Sequence, residues 1–223
     1  MASLPLFPLG TVLLPGAQLP LQIFEPRYVA MLKDLLALQD ERPPVFGVVA
    51  IREGFEVGED GVRALHPVGC AALLTGAAVL EDGRYLIVSE GTRRFRVDGV
   101  DGAAGTPYLT ADVTWLDDLD GDTDAVPDLA RRLRDEIERY RVAVADDPAQ
   151  PDDPDAPPDD DRDLSFWLPA VLELELAERQ QLLATGDTAS RLRLGLQLVR
   201  RERMLGQALG TVSRPPDRPM NLN

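Results

Sequence analysis

The sequence predicts an α+β protein: an N-terminal β-barrel, closed or nearly closed, with one early helix, followed by a C-terminal α-helical bundle. Three observations carry this expectation. Up to residue 116, short apolar runs alternate with Gly and Pro turns, the pattern of many short strands. From residue 128 onward the apolar period changes to 3.6, the period of an amphipathic helix. Between and within these halves lie two Asp-rich stretches, six Asp in 117–128 and nine in 146–163, whose composition suits connections rather than a core.

Taken in order, residues 4–9, 11–14 and 19–24 are apolar runs punctuated by Gly10 and Pro15-Gly16, and each reads as a strand. Pro26 suits the first position of a helix, and Val29, Leu32, Leu35 and Leu36 follow at helical spacing, so a helix is expected from 26 to 38, ended by Pro43-Pro44. Residues 45–52 (VFGVVAIR) read as a buried strand. Residues 72–90 read as a hairpin, with Asp82-Gly83 supplying both positive-φ positions of a type I′ turn. Alternation at 94–97, and at Leu109, Ala111, Val113 and Trp115, gives two further strands. In the second half Leu129, Leu133, Ile137, Tyr140 and Val144 form one stripe of a helix over 128–144. Asp163 is expected to cap a short helix carrying Leu164, Phe166, Trp167, Val171 and Leu172, and Asp187 a longer one through 209. The chain therefore divides into a barrel domain over 1–118, an acidic connector and first long helix over 119–145, a disordered Asp/Pro loop over 146–163, a helical subdomain over 164–210 and a flexible tail over 211–223.

Composition excludes several kinds of chemistry. The net charge is −15, and outside the two Asp-rich stretches acids and bases nearly balance. Such a field repels a polyanion, so nucleic acid is not an expected partner. One cysteine, Cys70, and one histidine, His66, cannot build a Cys/His zinc cluster or an intrachain disulfide. The first 24 residues carry no charge, but they lack a basic n-region and are broken by Pro5, Pro8, Pro15 and Pro20, so they do not read as a secretory signal. No apolar run is long enough to span a bilayer. The expected location is cytoplasmic, with no membrane partner.

The opening LPLFPLGTVLLPGAQLPLQIFEPRYVAML, then FGVVAI, VGCAALLTGAAVLEDGRYLIVSEGTRRFRV and PYLTADV, resemble the substrate-binding N-terminal domain family of Lon proteases, densely over 4–116 and more loosely over 128–205. The chain is most similar to small stand-alone bacterial members that carry IFEPRY near the start. The resemblance implies a PUA-like barrel followed by helices and a role in protein quality control. The long Asp/Pro stretch departs from the family pattern. No GxxxxGK[ST] phosphate loop occurs, no GxSxG elbow occurs, and Lys33 has no serine near it in sequence with which to form a Ser-Lys dyad. The ATPase and peptidase parts of a full Lon protease are therefore not expected here.

No catalytic residue, cofactor or metal ligand is assigned. His66 reads as a structural loop histidine and Cys70 as a small buried hydrophobe. Asp118 to Asp124 match a calcium loop only in part, because Thr123 and Leu129 stand where Gly and Glu are required. IFEPRY is the sharpest local motif and has two readings. In the structural one, Glu25 is an acceptor at a helix start, Pro26 opens the helix and Arg27 pairs with a carboxylate. In the functional one, Phe24, Tyr28 and Met31 line an apolar groove suited to varied peptides, with Glu25, Pro26 and Arg27 beside them and Arg94 and Arg96 at its flank. Arg94 and Arg96 read equally as a solvated strand face. The function expected is a non-catalytic, ATP-independent polypeptide-binding module whose partners are unfolded or extended segments. The alternatives are an ATP-independent hydrolase with a dispersed site around His66, and RNA binding through the barrel.

Overall fold

The computed structural model describes residues 2–54, 62–101, 104–144 and 156–209. Two compact units result, the first running to Asp117 and the second starting at Asp118.

The first unit holds strands β1 (Ala2–Leu9), β2 (Gln18–Ile23), β3 (Val45–Gly54), β4 (Val62–Leu65), β5 (Val68–Val79), β6 (Tyr85–Val100) and β7 (Thr110–Trp115), with helix α1 (Pro26–Ala37) between β2 and β3. Pairing runs β1-β7-β6-β5-β3 and returns from β3 to β1 in parallel, so five strands close on themselves; β4 adds to β3 and β2 to β6. Closure pairs these five strands on both sides over most of their length, and the part of β5 beyond Leu74 is left with β6 alone. Alternate residues point inward, and Leu4, Leu6, Val49, Ala71, Phe95, Ala111 and Val113 form the enclosed cluster. Phe95 sits at its centre because Gly47 and Gly69 make room for the ring. A Cβ at these positions would come within 2.7 and 2.5 Å of its Cζ. On the other side of β1, Phe7 stacks on Tyr28 of α1 with ring centroids 3.9 Å apart, which fixes the helix to the sheet.

Three expectations for this unit need correction. Residues 11–14 are not a strand. Val12, Leu13 and Leu14 are buried, but the Leu14 carbonyl lies 2.1 Å from where a Cβ on Gly91 would be, so the chain crosses over β6 rather than pairing along it. It is tied instead at the turn that follows, where Gly16 N–H donates to the Gly91 carbonyl at 2.8 Å. The 80–84 turn is not type I′, since Gly83 has φ +84° but Asp82 does not have positive φ. Gly83 N–H donates to Leu80 C=O and Leu80 N–H to Arg84 C=O, the pattern of a type I turn closed by a left-handed glycine. Residues 94–97 are not a further strand of their own but continue the hairpin's second strand in β6, and strand β4 was not foreseen.

The second unit holds α2 (Val126–Val144), α3 (Asp161–Trp167), a single 3-10 turn (Leu168–Ala170), α4 (Leu176–Ala184) and α5 (Thr188–Leu209). The expected stripe of α2 is buried at Leu129, Leu133 and Ile137, and Asp187 caps α5 by accepting the Ser190 N–H at 2.8 Å. Helix α3 begins earlier than expected. Asp160, not Asp163, is its cap, accepting from the N–H groups of Arg162 and Asp163 at 2.9 Å. The loop assigned to 146–163 is thus described only from 156, and its residues 161–163 are helical; the rest of it and the tail over 211–223 lie outside the described residues. Residues 158–161 are held by Arg134, which donates to the carbonyls of Pro158 and Asp159 and pairs with Asp161 at 3.0 Å. Phe166 is buried, whereas Trp167 is half-buried and lies under the Arg141 guanidinium.

Candidate functional site

The start of α1 is built as its sequence suggests, with one difference. Pro26 takes the first helical position, and the Glu25 carbonyl accepts from the Tyr28 and Val29 N–H groups. The Glu25 carboxylate makes no cap; it pairs with Arg27, Nη2 to Oε2 at 2.8 Å. That pair holds the Arg27 guanidinium 4.5 Å above the Tyr28 ring, on the face left open by Phe7. A cation over an aromatic face is attracted by its quadrupole. Tyr28 is therefore a core residue with one polar, addressable side.

Facing it is the connection between β6 and β7. Asp101, residues 104–107, Tyr108 and Leu109 join Arg27 and Tyr28 around a cleft of about 220 Å³. The connection is braced internally, since the Thr106 hydroxyl donates to the Tyr108 carbonyl at 2.7 Å, and externally, since the Tyr108 hydroxyl donates to Asp34 of α1 at 2.8 Å. Burial, then the hydrogen bond to Asp34 and its negative charge, push the Tyr108 phenol up to about 12, so it is a neutral donor at any physiological pH. The cleft is thus lined by two tyrosines, Pro107 and Leu109, together with the Arg27 cation and the Asp101 carboxylate. Such a mixture suits an extended backbone with varied side chains.

Of the eight residues singled out in the sequence, only Arg27 and Tyr28 line this cleft. Phe24 is 45% exposed, Pro26 is exposed and Glu25 half-buried, whereas Met31 is enclosed in the core at 1%. Arg94 departs from the solvated strand face expected of it. It is 1% exposed and donates to the Asp117 carbonyl at 3.2 Å, while its own carbonyl accepts the Leu116 N–H. Arg96 is exposed and paired with Asp98 at 3.0 Å. Neither arginine is among the lining residues. Tyr108 and the 101–107 segment escaped sequence reasoning because a loop has no periodicity to betray it; the PYLT signature was the available signal.

The other sequence candidates are placed plainly. His66 lies half-buried between β4 and β5, its backbone N–H bonded to the Ala50 carbonyl, and burial together with the nearby Arg52 charge lowers its pKa. Cys70 is fully enclosed on β5. Among the described residues no group of three or more His, Cys, Asp or Glu is placed to hold a metal ion, and no helix is long and apolar enough to cross a membrane.

The sequence profile described as the ATP-dependent protease La (LON) substrate-binding domain matches residues 3–201. A Lon protease of Anaeromyxobacter dehalogenans is 29% identical over 91% of this chain and 23% of its own length, and Lon protease 2 of Myxococcus xanthus is 28% identical over 90% and 24%. The chain therefore spans about a quarter of the length of these relatives. Among solved structures, a Lon N-terminal domain protein from Xanthomonas campestris superposes with a TM-score of 0.61 at 26% identity, covering 90% of this chain and 98% of that one. The N-terminal domain of a Mycobacterium avium complex Lon protease gives 0.62 at 16% identity, covering 89% and 98%, which supports the fold. What matches is the substrate-binding part of these proteases rather than their catalytic parts, and with the profile covering nearly its whole length the chain belongs to the Lon substrate-binding domain family.

Proposed function

We propose that this chain binds extended segments of other polypeptides, without cutting them, in the cleft between the start of α1 and the β6–β7 connection. The observation that carries the reading is the match of residues 3–201 to a substrate-binding domain. The cleft supports it, because Tyr28, Tyr108, Pro107 and Leu109 supply adaptable apolar contact while Arg27 and Asp101 can meet a peptide backbone or its charged ends. Binding of this kind gains from area burial and is only mildly weakened by salt, whereas phosphate contacts lose affinity steeply.

Titration of a fluorescently labelled, permanently unfolded polypeptide tests the proposal. Micromolar or weaker binding is expected, little changed by salt, and reduced by Tyr108→Ala and by Arg27→Ala. The polypeptide should emerge uncut and added ATP unhydrolysed. Cleavage abolished by a single Ser or His substitution would replace the binding reading with a hydrolase, and tight, steeply salt-dependent RNA binding would replace it with the third one.

A further inference from the structure

The far half of β5 is an open sheet edge. Up to Leu74 the strand is covered on its outer side by β3, which pairs Val45 with Leu73, and by the Pro44 carbonyl, which accepts the Leu74 N–H. Beyond it Thr75 is the extra residue of a bulge, its hydroxyl bonded to the Val88 carbonyl, Gly76–Val79 pair only with β6, and all five residues are exposed. Their direction follows from the turn. Leu80 N–H donates to Arg84 C=O, so Ala78 and Gly76 face β6 and the main-chain N–H and C=O of Ala77 and Val79 point away from it. Among the described residues nothing takes these groups.

Natural edges are usually blunted by proline, charge or brevity. Two other edges among the described residues follow that rule. Strand β2 carries the exposed Pro20 in its middle, and β4 is four residues long. The Thr75–Val79 edge has none of these devices. It holds no charge and no proline, its side chains are small, and a Cβ built at Gly76 meets nothing within 4 Å. A further strand can approach without displacing anything. The edge is also pre-ordered, because β6 behind it is paired on its other side with β2 from Gln18 to Ile23.

We infer that the outer edge of Thr75–Val79 accepts an extended, uncharged segment of another polypeptide as an added β-strand. This rests on the polypeptide-binding reading but places a second element of recognition outside the cleft. Main-chain hydrogen bonds supply the affinity, so the site is tolerant of sequence. The occupant is a flexible segment and not a second folded copy. A ladder of five residues covers far less than the roughly 1,200 Å² that stable interfaces between folded proteins bury. Charge defines the ends of the segment. Past Val79 the exposed Glu81 is followed by Asp82, which is already paired with Arg84 at 2.5 Å, so a Lys or Arg flanking the uncharged stretch meets the Glu81 carboxylate.

The test uses the full chain and a capped peptide of alternating Val and Thr with Lys at both ends. On binding, amide hydrogen exchange at Ala77 and Val79 should slow, while Gly76 and Ala78, whose N–H groups already face β6, should change little. Peptides N-methylated at alternate positions sharpen this, because one set blocks the donors that face the edge and should lose binding, and the other should retain it. Ala77→Pro removes an outward donor without touching the β5–β6 ladder, and should weaken binding by about fivefold or more. Where that variant folds poorly, the N-methyl pair gives the same answer with the unaltered protein. Peptide binding with no change at Ala77 and Val79, or equal binding of both N-methyl sets, overturns the edge site and leaves the cleft reading intact. Absence of any peptide binding overturns both. Slowed exchange at Ala77 and Val79 without peptide, rising with protein concentration, makes the occupant a second copy and overturns the proposal.

Discussion

Phe95 and Arg191 hold corresponding positions in the two compact units, each a large side chain with no exposed surface at the middle of its packing. Phe95 is surrounded by apolar neighbours and meets Trp115 edge-on at 6.2 Å. Arg191 is surrounded by oxygen: Ser165 Oγ at 2.9 Å, the Thr185 carbonyl and Thr188 Oγ1 at 3.0 Å, and Asp118 at 3.4 Å, with the Phe166 ring 4.1 Å away. The contrast extends outward. In the second unit the enclosed Glu136 carboxylate draws Arg139, Arg200 and Arg203, whereas the first closes a sheet over an apolar cluster. A closed sheet satisfies its backbone by itself and can leave its interior dry. Short helices of seven and nine residues leave many unpaired end groups, and the buried arginine serves them, its guanidinium taking up the Thr185 carbonyl just past the end of α4. The two units should accordingly fail under different insults.

The largest effects test the two centres directly. Arg191→Met should destabilise the second unit by about 3–5 kcal/mol, because it takes the buried guanidinium away from the enclosed Asp118 carboxylate. Phe95→Ala should cost the first unit a similar amount, roughly 3–5 kcal/mol, through a cavity between Gly47 and Gly69. Rescue separates them. Adding Asp118→Leu to Arg191→Met should restore part of the loss, since two uncharged side chains pack together at less cost than an enclosed carboxylate deprived of its buried cation. Hydrogen exchange read residue by residue should show protection falling on the matching side of Asp117 in each case. If Arg191→Met melts like the parent chain, the second unit is held by its apolar stripe alone and the contrast is wrong.

Much of that contrast was legible before the structure, and the exceptions share a cause. Pro26 opening α1, the Leu129, Leu133 and Ile137 stripe, and Asp187 as a cap were readable because each signal is local or periodic. Arg94 and Arg191 were not, because 22 arginines look alike in a sequence and burial of a cation depends on oxygens brought from distant segments. Asp82-Gly83 was misread because the same pair suits two turns, and only the pairing of Leu80 with Arg84 decides between them. Phe166 is buried as its helix was expected to carry it, whereas Trp167, expected beside it, is only half-buried, since adjacent aromatics on a short helix cannot both face inward. For the cleft, IFEPRY contributes Arg27 and Tyr28 to one wall, and the opposite wall had no pattern to read.

A smaller effect sharpens the comparison through pH. Burial works against the charged form of Glu136, but Arg203, Arg200 and Arg139 outweigh it and hold its pKa below the ordinary 4.5. A carboxylate with a depressed folded-state pKa contributes stability that is fully present above its unfolded value and is lost as pH falls through the folded one. Asp187 is lowered too, by the Ser190 backbone N–H, and its contribution, whole above its ordinary 3.8, is lost further down the acid limb. Acid unfolding should therefore begin in the second unit below about pH 4.5. Glu136→Gln should cost about 2 kcal/mol at neutral pH, the value of hydrogen bonds to a charged group, and flatten the acid limb. An acid transition unchanged by this substitution would assign it to other carboxylates.

Tyr108 gives the smallest effect and the opposite sign. Its phenol is raised from 10.0 to about 12 by burial and by Asp34, so the fold favours the protonated form. Folded protein then binds the proton more tightly than unfolded chain. The contribution is whole below the unfolded value of 10.0 and is lost as pH rises through the folded value of about 12. Ultraviolet titration should include a tyrosine step well above pH 10, and Tyr108→Phe should remove it while lowering stability by about 1 kcal/mol or less, as for one partly exposed hydrogen bond. The cleft should respond more than the fold. Without the bond to Asp34 the 104–109 segment loses its tie to α1, so peptide affinity should fall severalfold while the melting temperature moves by only a few degrees. Equal loss of both would mean that the tie serves the sheet and not the cleft, and the first unit would then depend on a charged partner much as the second does.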